Sequence, residues 1–197
     1  MKKIRYYIVI AALAISFNSF GQEWYTNLSY DMSIPLGNTK DFIQKTSFRG
    51  FSFSVGRFIT DDLDINVRFS WHTFYEEMPS DSYTEDSRTI TGKQFRYINS
   101  FPITAGARYH FNSGGEVSPY VGAGIGAYSQ NVRTDMGIYY AETKKWHFGF
   151  YPEVGLFWNF SYGTGVYVNA RYDNSLTAGD VEGQSYLTFS VGFKFGN

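Results

Sequence analysis

The chain has 197 residues, a formal net charge of -1, 20% aromatic residues, 20 glycines and no cysteine. The near-neutral charge leaves no basic footprint for nucleic acid, and the missing cysteines exclude disulfides, thiol nucleophiles, thiolate zinc sites and an acylated N-terminal cysteine. Charged residues, at 18%, fall below the quarter usual in globular chains.

Residues 1–21 read as an export address. Lys2, Lys3 and Arg5 form a positive start, residues 6–17 a short apolar run, and Ser19 and Gly21 a small-residue cleavage site ahead of Gln22. The run is too short to span a bilayer as a helix, and no later run of 18 or more apolar residues follows. Residues 22–197 are therefore expected to form the mature domain, exported through a cleaved signal peptide.

Strands then follow one another with a period of two, because successive side chains of an extended chain point to opposite faces. Residues 24–34 set Trp24, Thr26, Leu28, Tyr30, Met32 and Ile34 against Tyr25, Asn27, Ser29, Asp31 and Ser33, before Pro35 and Gly37 break the pattern. A long polar loop is expected over residues 38–49. The second strand opens on Phe51, Phe53 and Val55 and alternates through Arg57 and Ile59, unless a bulge at Gly56 turns Phe58 outward. Leu63, Ile65, Val67, Phe69 and Trp71 carry the third strand, opposed by Asp64, Asn66, Arg68, Ser70 and His72.

Residues 76–93 show no apolar period and read as the longest loop. The fourth strand covers residues 95–111, with Phe95, Tyr97, Phe101, Ile103, Tyr109 and Phe111 opposite Arg96, Ser100, Thr104, Arg108 and His110. Residues 112–118 form a turn, and the fifth strand, 120–128, sets Val121, Ala123, Ile125 and Ala127 against Gly122, Gly124 and Gly126. After a loop from about 129 to 144, Trp146, Phe148, Phe150, Val154, Leu156, Trp158 and Phe160 oppose His147, Gly149, Tyr151, Glu153, Phe157 and Asn159. Residues 162–164 turn into a seventh strand, where Val166, Val168, Ala170 and Tyr172 oppose Tyr167, Asn169, Arg171 and Asp173. A loop over 174–184 leads to the closing strand, in which Leu187, Phe189, Val191, Phe193 and Phe195 oppose Tyr186, Thr188, Ser190, Gly192 and Lys194.

Eight strands joined alternately by long and short connections describe an all-β, eight-stranded antiparallel up-and-down transmembrane β-barrel, with short turns on the periplasmic side and long loops outside. Pro102 and Pro152 fall inside strands, where each removes a ladder donor, so bulges are expected there. Alternation alone also fits a soluble lipocalin-type barrel with its apolar face inward. Bulk decides the orientation, because an eight-stranded interior is only just wide enough for side chains to fill. The aromatic face is far too large for that lumen, so it must point outward. The opposite face is then a lumen in which Arg68, Arg96, Arg108, Arg171 and Lys194 meet Asp31, Asp64, Glu153 and Asp173, since an unpartnered charge there is costly. Outward aromatics fall into two belts at headgroup depth: Trp24, Phe111, Trp158, Phe160 and Phe195 at periplasmic strand ends, and Trp71, Phe95, Tyr97, Trp146 and Tyr172 near outer ends.

The stretch Arg108-Tyr109-His110-Phe111-Asn112, then Gly114-Gly115, then Pro119 to Gly126, resembles the hairpin of small outer-membrane barrels of the OmpA, OmpX and OmpW-like group in the porin-like superfamily. The ending Gly192-Phe193-Lys194-Phe195 resembles their last strand, although Gly196 and Asn197 follow the terminal aromatic. The resemblance implies the outer membrane of a Gram-negative-type envelope, lipid and lipopolysaccharide as surroundings, and the barrel-assembly machinery as a partner during insertion.

His72 and His147 near outer strand ends, with Ser70 on the same face as His72, evoke barrel lipid acyltransferases and deacylases, but an inward pair has no access to an acyl chain. No catalysis and no cofactor are expected. Three histidines on three strands make no ligand set, and Gly122, Gly124 and Gly126 alternate along a strand rather than open a helix, so they leave room for Tyr151 and Phe157 instead. Glu76, Glu77, Asp81, Glu85 and Asp86 make the second outer loop acidic, which reads as a solvated loop before a divalent-cation bridge to lipopolysaccharide. Three roles stay open: a side-chain-filled barrel with a structural or surface-interaction role through four extracellular loops, a narrow pore or lateral-exit transporter for small ions or hydrophobic molecules, and a soluble secreted ligand-binding barrel.

Overall fold

The computed structural model describes residues 24–85, 88–161 and 163–196. The export address at residues 1–21 lies outside the described residues. The described residues form β1 (Trp24–Leu36), a short helix α1 (Gly37–Phe42), β2 (Ser47–Phe58), β3 (Leu63–Glu85), β4 (Arg88–His110), β5 (Val117–Met136), β6 (Tyr139–Ser161), β7 (Thr164–Ser175) and β8 (Ser185–Phe195). Each strand pairs antiparallel with the next, and β1 returns to β8 from Thr26↔Phe195 to Leu36↔Ser185, closing the ring. Closure leaves no sheet edge in hydrocarbon, where each unpaired backbone group costs several kcal/mol.

The period-two pattern sorts the side chains. Phe53, Phe69 and Phe189 are 40%, 49% and 39% exposed, while their inward neighbours Ser54, Arg68 and Thr188 are buried. Gly56 pairs with both Tyr25 and Asn66 without a shift in register, so β2 carries no bulge there and Phe58 turns inward against Tyr25.

Four expectations need correction. Residues 38–49 are not all loop: α1 and the start of β2 occupy much of the segment. Of the polar stretch 76–93, residues 76–85 continue β3 and 88–93 begin β4, and residues 129–144 lie largely in β5 and β6. These extensions lack an apolar face because they stand beyond the membrane, so hydrophobic alternation was the wrong signal for them. Pro102 and Pro152 introduce no bulge. Pro102↔Tyr128 and Pro152↔Ala123 stay in register. On the other side of each proline the pairing skips from Phe69↔Ile103 to His72↔Ser100, and from Phe150↔Asn174 to Glu153↔Arg171, with the register unchanged. Each ring therefore costs local rungs toward one neighbour only, because the missing N–H faces that neighbour alone.

Candidate functional site

The lumen is packed in layers. At the end with the short turns, Tyr25, Tyr120, Phe157 and Tyr167 form a buried aromatic floor with Phe58 against it. Lys194 lies over the rings of Tyr25, Phe58 and Phe157 at 5.7, 5.9 and 5.4 Å, and its Nζ reaches Asn159 Oδ1 at 3.4 Å. Aromatic faces are thus part of its surroundings.

Glu153 is the hub of the next layer. Arg68 Nη2 donates to its Oε2 at 2.9 Å, Arg108 Nε to its Oε1 at 2.6 Å, and Asn169 Nδ2 to Oε2 at 3.0 Å. Both carboxylate oxygens are thereby saturated by donors on three other strands. Arg108 also donates to Tyr25 OH at 3.1 Å, which ties this layer to the aromatic floor.

Arg171 and Asp173 build the layer above, joined Nε to Oδ2 at 2.8 Å. Tyr128 OH donates to Asp173 Oδ1 at 3.0 Å, and Arg171 Nη2 lies 3.4 Å from both Ser70 Oγ and His72 Nε2. Asp31 accepts from Ser29 Oγ at 2.9 Å and from Ser52 Oγ, with His72 Nε2 at 4.0 Å. Asp64 faces His110 Nε2 at 2.6 Å. Among the described residues, the buried lumen cations Arg68, Arg108, Arg171 and Lys194 equal in number the buried carboxylates Asp31, Asp64, Glu153 and Asp173.

Glycine makes this packing possible on β5. A Cβ on Gly124 would lie 2.6 Å from the Tyr151 ring and 2.5 Å from the Ala105 carbonyl, closer than any side chain tolerates. Gly155 stands in the same relation to Tyr120, at 2.6 Å. Phe157, by contrast, packs on His110 and Tyr120 rather than over a glycine.

The outer end is closed by groups that the sequence reading left out. Ile43, Phe74, Ile98 and Tyr186 form a buried cluster with Phe42 and Val132 packed against it. α1 is latched across this cluster: Ser185 N donates to Thr39 Oγ1 at 2.9 Å, and Arg96 Nη1 donates to Phe42 O at 3.1 Å with its guanidinium 5.0 Å from the Phe42 ring. Arg96 therefore sits half-buried at the mouth, apart from the charged layers. Phe74, Ile98 and Tyr186 occupy inward positions of strands already recognised, so their parity was the available signal.

The outward aromatics divide unequally. Trp24, Phe111, Trp158, Phe160 and Phe195 are exposed near the short turns, and Trp71 and Trp146 toward the other end. Trp71 stacks on Phe101 at 5.1 Å. Phe95 and Tyr97 lie two or three rungs farther out, paired with Glu77 and Tyr75, and are half-buried like Tyr172.

Asp64, His110 and Ser118 repeat the carboxylate–imidazole–hydroxyl order of a nucleophilic triad, with His110 Nδ1 3.1 Å from Ser118 Oγ. Ser118 is only 2% exposed and His110 stacks on Phe157, so an acyl substrate has no approach to the hydroxyl. His72 shares its layer with Arg171, and His147 Nδ1 donates to Leu176 O at 2.9 Å. No group of three or more His, Cys, Asp or Glu suited to a metal occurs among the described residues.

Known structures share this architecture. Neisserial surface protein A matches with a TM-score of 0.61 at 17% identity, over 89% of this chain and 97% of that one. OprG from Pseudomonas aeruginosa matches with a TM-score of 0.58 at 10% identity, over 89% and 96%. Ail, the attachment invasion locus protein of Yersinia pestis, in complex with the heparin analogue sucrose octasulfate, matches with a TM-score of 0.53 at 17% identity, over 90% and 100%. No curated protein sequence matches the chain. The pattern of the outer membrane protein beta-barrel domain matches residues 7–195. With a closed ring of eight strands, a charged lumen and an aromatic coat, the chain belongs to this family of outer-membrane β-barrels.

Proposed function

We propose that the protein is a plugged outer-membrane barrel with a structural or surface-interaction role, exercised by the segments that leave the outer edge of its wall. The observation that carries this reading is Glu153 held by Arg68 and Arg108 across the lumen, with all three side chains buried. Aromatic layers below and an apolar cap above enclose it. A conducting path would have to break these ion pairs, which in a low-dielectric interior costs several kcal/mol. Transport and catalysis thus find less support than a scaffold that displays its outer segments.

On this reading residues 1–21 are removed on export, the assembly machinery inserts the barrel, and lipid with lipopolysaccharide surrounds it. The Ail complex with a heparin analogue supports surface recognition as a use to which this fold is put. Planar-bilayer recording of the purified protein tests the proposal: no steady channels are expected, and a steady conductance favours the narrow-pore alternative. Comparing heated with unheated detergent samples on a gel tests the soluble alternative, since a transmembrane barrel shifts mobility on boiling.

A further inference from the structure

The cap of the outer mouth hangs on one side chain. From Lys40 to Thr46 only Ile43 is buried, and it is packed among Phe74, Ile98 and Tyr186. It enters that cluster from extended backbone, at φ -134° and ψ 121°, just past the end of α1. Both of its neighbours are held by their main chain. Arg96 Nη1 donates to Phe42 O at 3.1 Å, and Glu76 Oε2 accepts from Gln44 N at 2.7 Å. Glu76 and Arg96 are partners on one rung of β3 and β4. Arg96 Nε also donates to Gln94 Oε1 at 2.8 Å, which fixes the direction of the guanidinium.

An acceptor for one peptide N–H, a donor to the carbonyl two residues earlier and an apolar hole between them are the parts of a receptor for extended peptide. Main-chain bonds set the register, and the hole selects the side chain. No part of the arrangement requires the occupant to belong to this chain. The hole ends blind, because Tyr186 OH meets Ser100 Oγ at 3.1 Å and His72, 5.2 Å from the Tyr186 ring, belongs to the Arg171 layer. A ligand in the mouth stops there. The resident segment is also lightly attached. α1 has six residues and no side-chain N-cap bond, well short of the roughly 12–15 residues a helix needs to hold itself. Its further ties are single hydrogen bonds, from Ser185 N to Thr39 Oγ1 at 2.9 Å and from Asn38 Nδ2 to Gly183 O at 3.2 Å.

We propose that the outer mouth is a binding site for an extended peptide segment carrying a branched apolar residue, and that residues 42–44 occupy it in cis until such a segment displaces them. The partner presents a carbonyl to Arg96, an N–H to Glu76 and an isoleucine-like side chain to Phe74, Ile98 and Tyr186. The inference deepens the surface-interaction reading above and rests on it, since that reading turns this mouth away from the periplasm.

The test titrates a capped peptide copying residues 41–45 into the full chain in phosphatidylcholine nanodiscs and follows side-chain methyl NMR signals. In Ile43→Ala, which empties the hole, the Ile98 signal shifts saturably while that of outward-facing Ile125 stays still. The wild type needs at least about tenfold more peptide, because the tethered segment competes at a millimolar effective concentration. Adding Arg96→Met to Ile43→Ala weakens binding roughly tenfold through the lost charge-assisted bond, with heat-shifted mobility unchanged. The Ile43→Asn form of the peptide leaves Ile98 unmoved. Where Ile43→Ala does not fold, Gln44→Pro frees the segment instead by removing the N–H that Glu76 accepts. An unmoved Ile98 signal in the freed variant, half-saturation at the same peptide concentration in wild type and variant, undiminished binding with Arg96→Met, or equal shifts from the Ile43→Asn peptide overturns the site. A chain that enters no disc overturns the membrane reading and this site with it; a chain that enters but fails these comparisons overturns the site alone.

Discussion

Arg108 donates its Nε–H to Glu153 Oε1 across 2.6 Å, and neither side chain touches solvent. Because Arg68 holds the second oxygen at 2.9 Å, one carboxylate from β6 fastens β3 and β4 across the lumen. Glu153→Gln leaves both guanidinium groups without a counter-charge. Loss of about 3–5 kcal/mol in urea unfolding, followed in detergent by Trp fluorescence, is expected. Removing the charges together, as Arg68→Leu with Arg108→Met and Glu153→Leu, restores most of that loss, because the desolvation cost disappears with the attraction. A single variant as stable as the wild type contradicts the role of Glu153.

Tyr151 fills the lumen only because β5 carries no side chain opposite it. Gly124→Ala puts a Cβ 2.5 Å from the Ala105 carbonyl and 2.6 Å from the Tyr151 ring, and about 1–3 kcal/mol of stability is expected to go with the strain. Gly114→Ala is the control. Its Cβ meets nothing within 4 Å, so its unfolding midpoint stays within error of the wild type.

The outward face is read most directly by its tolerance of charge. Phe189→Arg, in the middle of β8, costs about 2–4 kcal/mol, whereas Phe111→Arg, just past the end of β4, costs about 0–1 kcal/mol. Equal penalties at the two positions, measured by reversible unfolding in lipid vesicles, speak against a membrane-facing coat.

How much of this was legible in the sequence depended on which physical constraint acted at each residue. Where strands cross the membrane, hydrocarbon on one side and a narrow lumen on the other enforce strict alternation, and Phe189 beside Thr188 shows it without ambiguity. Above the membrane that constraint ends. Glu76 to Lys93 carries no apolar period, yet its described residues stay paired strand to strand, with Glu76 opposite Arg96 and Glu77 opposite Phe95 ahead of a register shift between Met78 and Asp81. The lumen charges were legible as a set from parity and the need for neutrality, but their partners were not. Glu153 gathers two arginines, Asp64 and Asp31 face histidines, and Lys194 faces rings. Such choices depend on stagger around the ring, which strand-by-strand alternation does not contain. The apolar cap was missed for a related reason: Ile43 comes from a segment with no strand pattern, and it meets Phe74, Ile98 and Tyr186 only after the ring has closed.

That cap closes the mouth without being the barrier. Ile43→Asn buries an amide among Phe74, Ile98 and Tyr186, so amide hydrogen exchange across residues 37–46 rises as α1 loosens. Planar-bilayer recordings of this variant stay silent, because the Arg68–Glu153–Arg108 layer lies beneath. Steady channels in Ile43→Asn, absent from the wild type, place the barrier at the cap instead.

The central claim is that rings face acyl chains while charges pair within, and the absence of cysteine makes it directly measurable. Single cysteines at positions 53, 54, 68, 69, 188 and 189, spin-labelled in lipid vesicles, report collisions with oxygen and with a water-soluble nickel chelate. The account predicts high oxygen and low nickel accessibility at 53, 69 and 189, and low accessibility to both at 54, 68 and 188. Labels at 53, 69 and 189 shielded from oxygen, with those at 54, 68 and 188 open to the nickel chelate, contradict it.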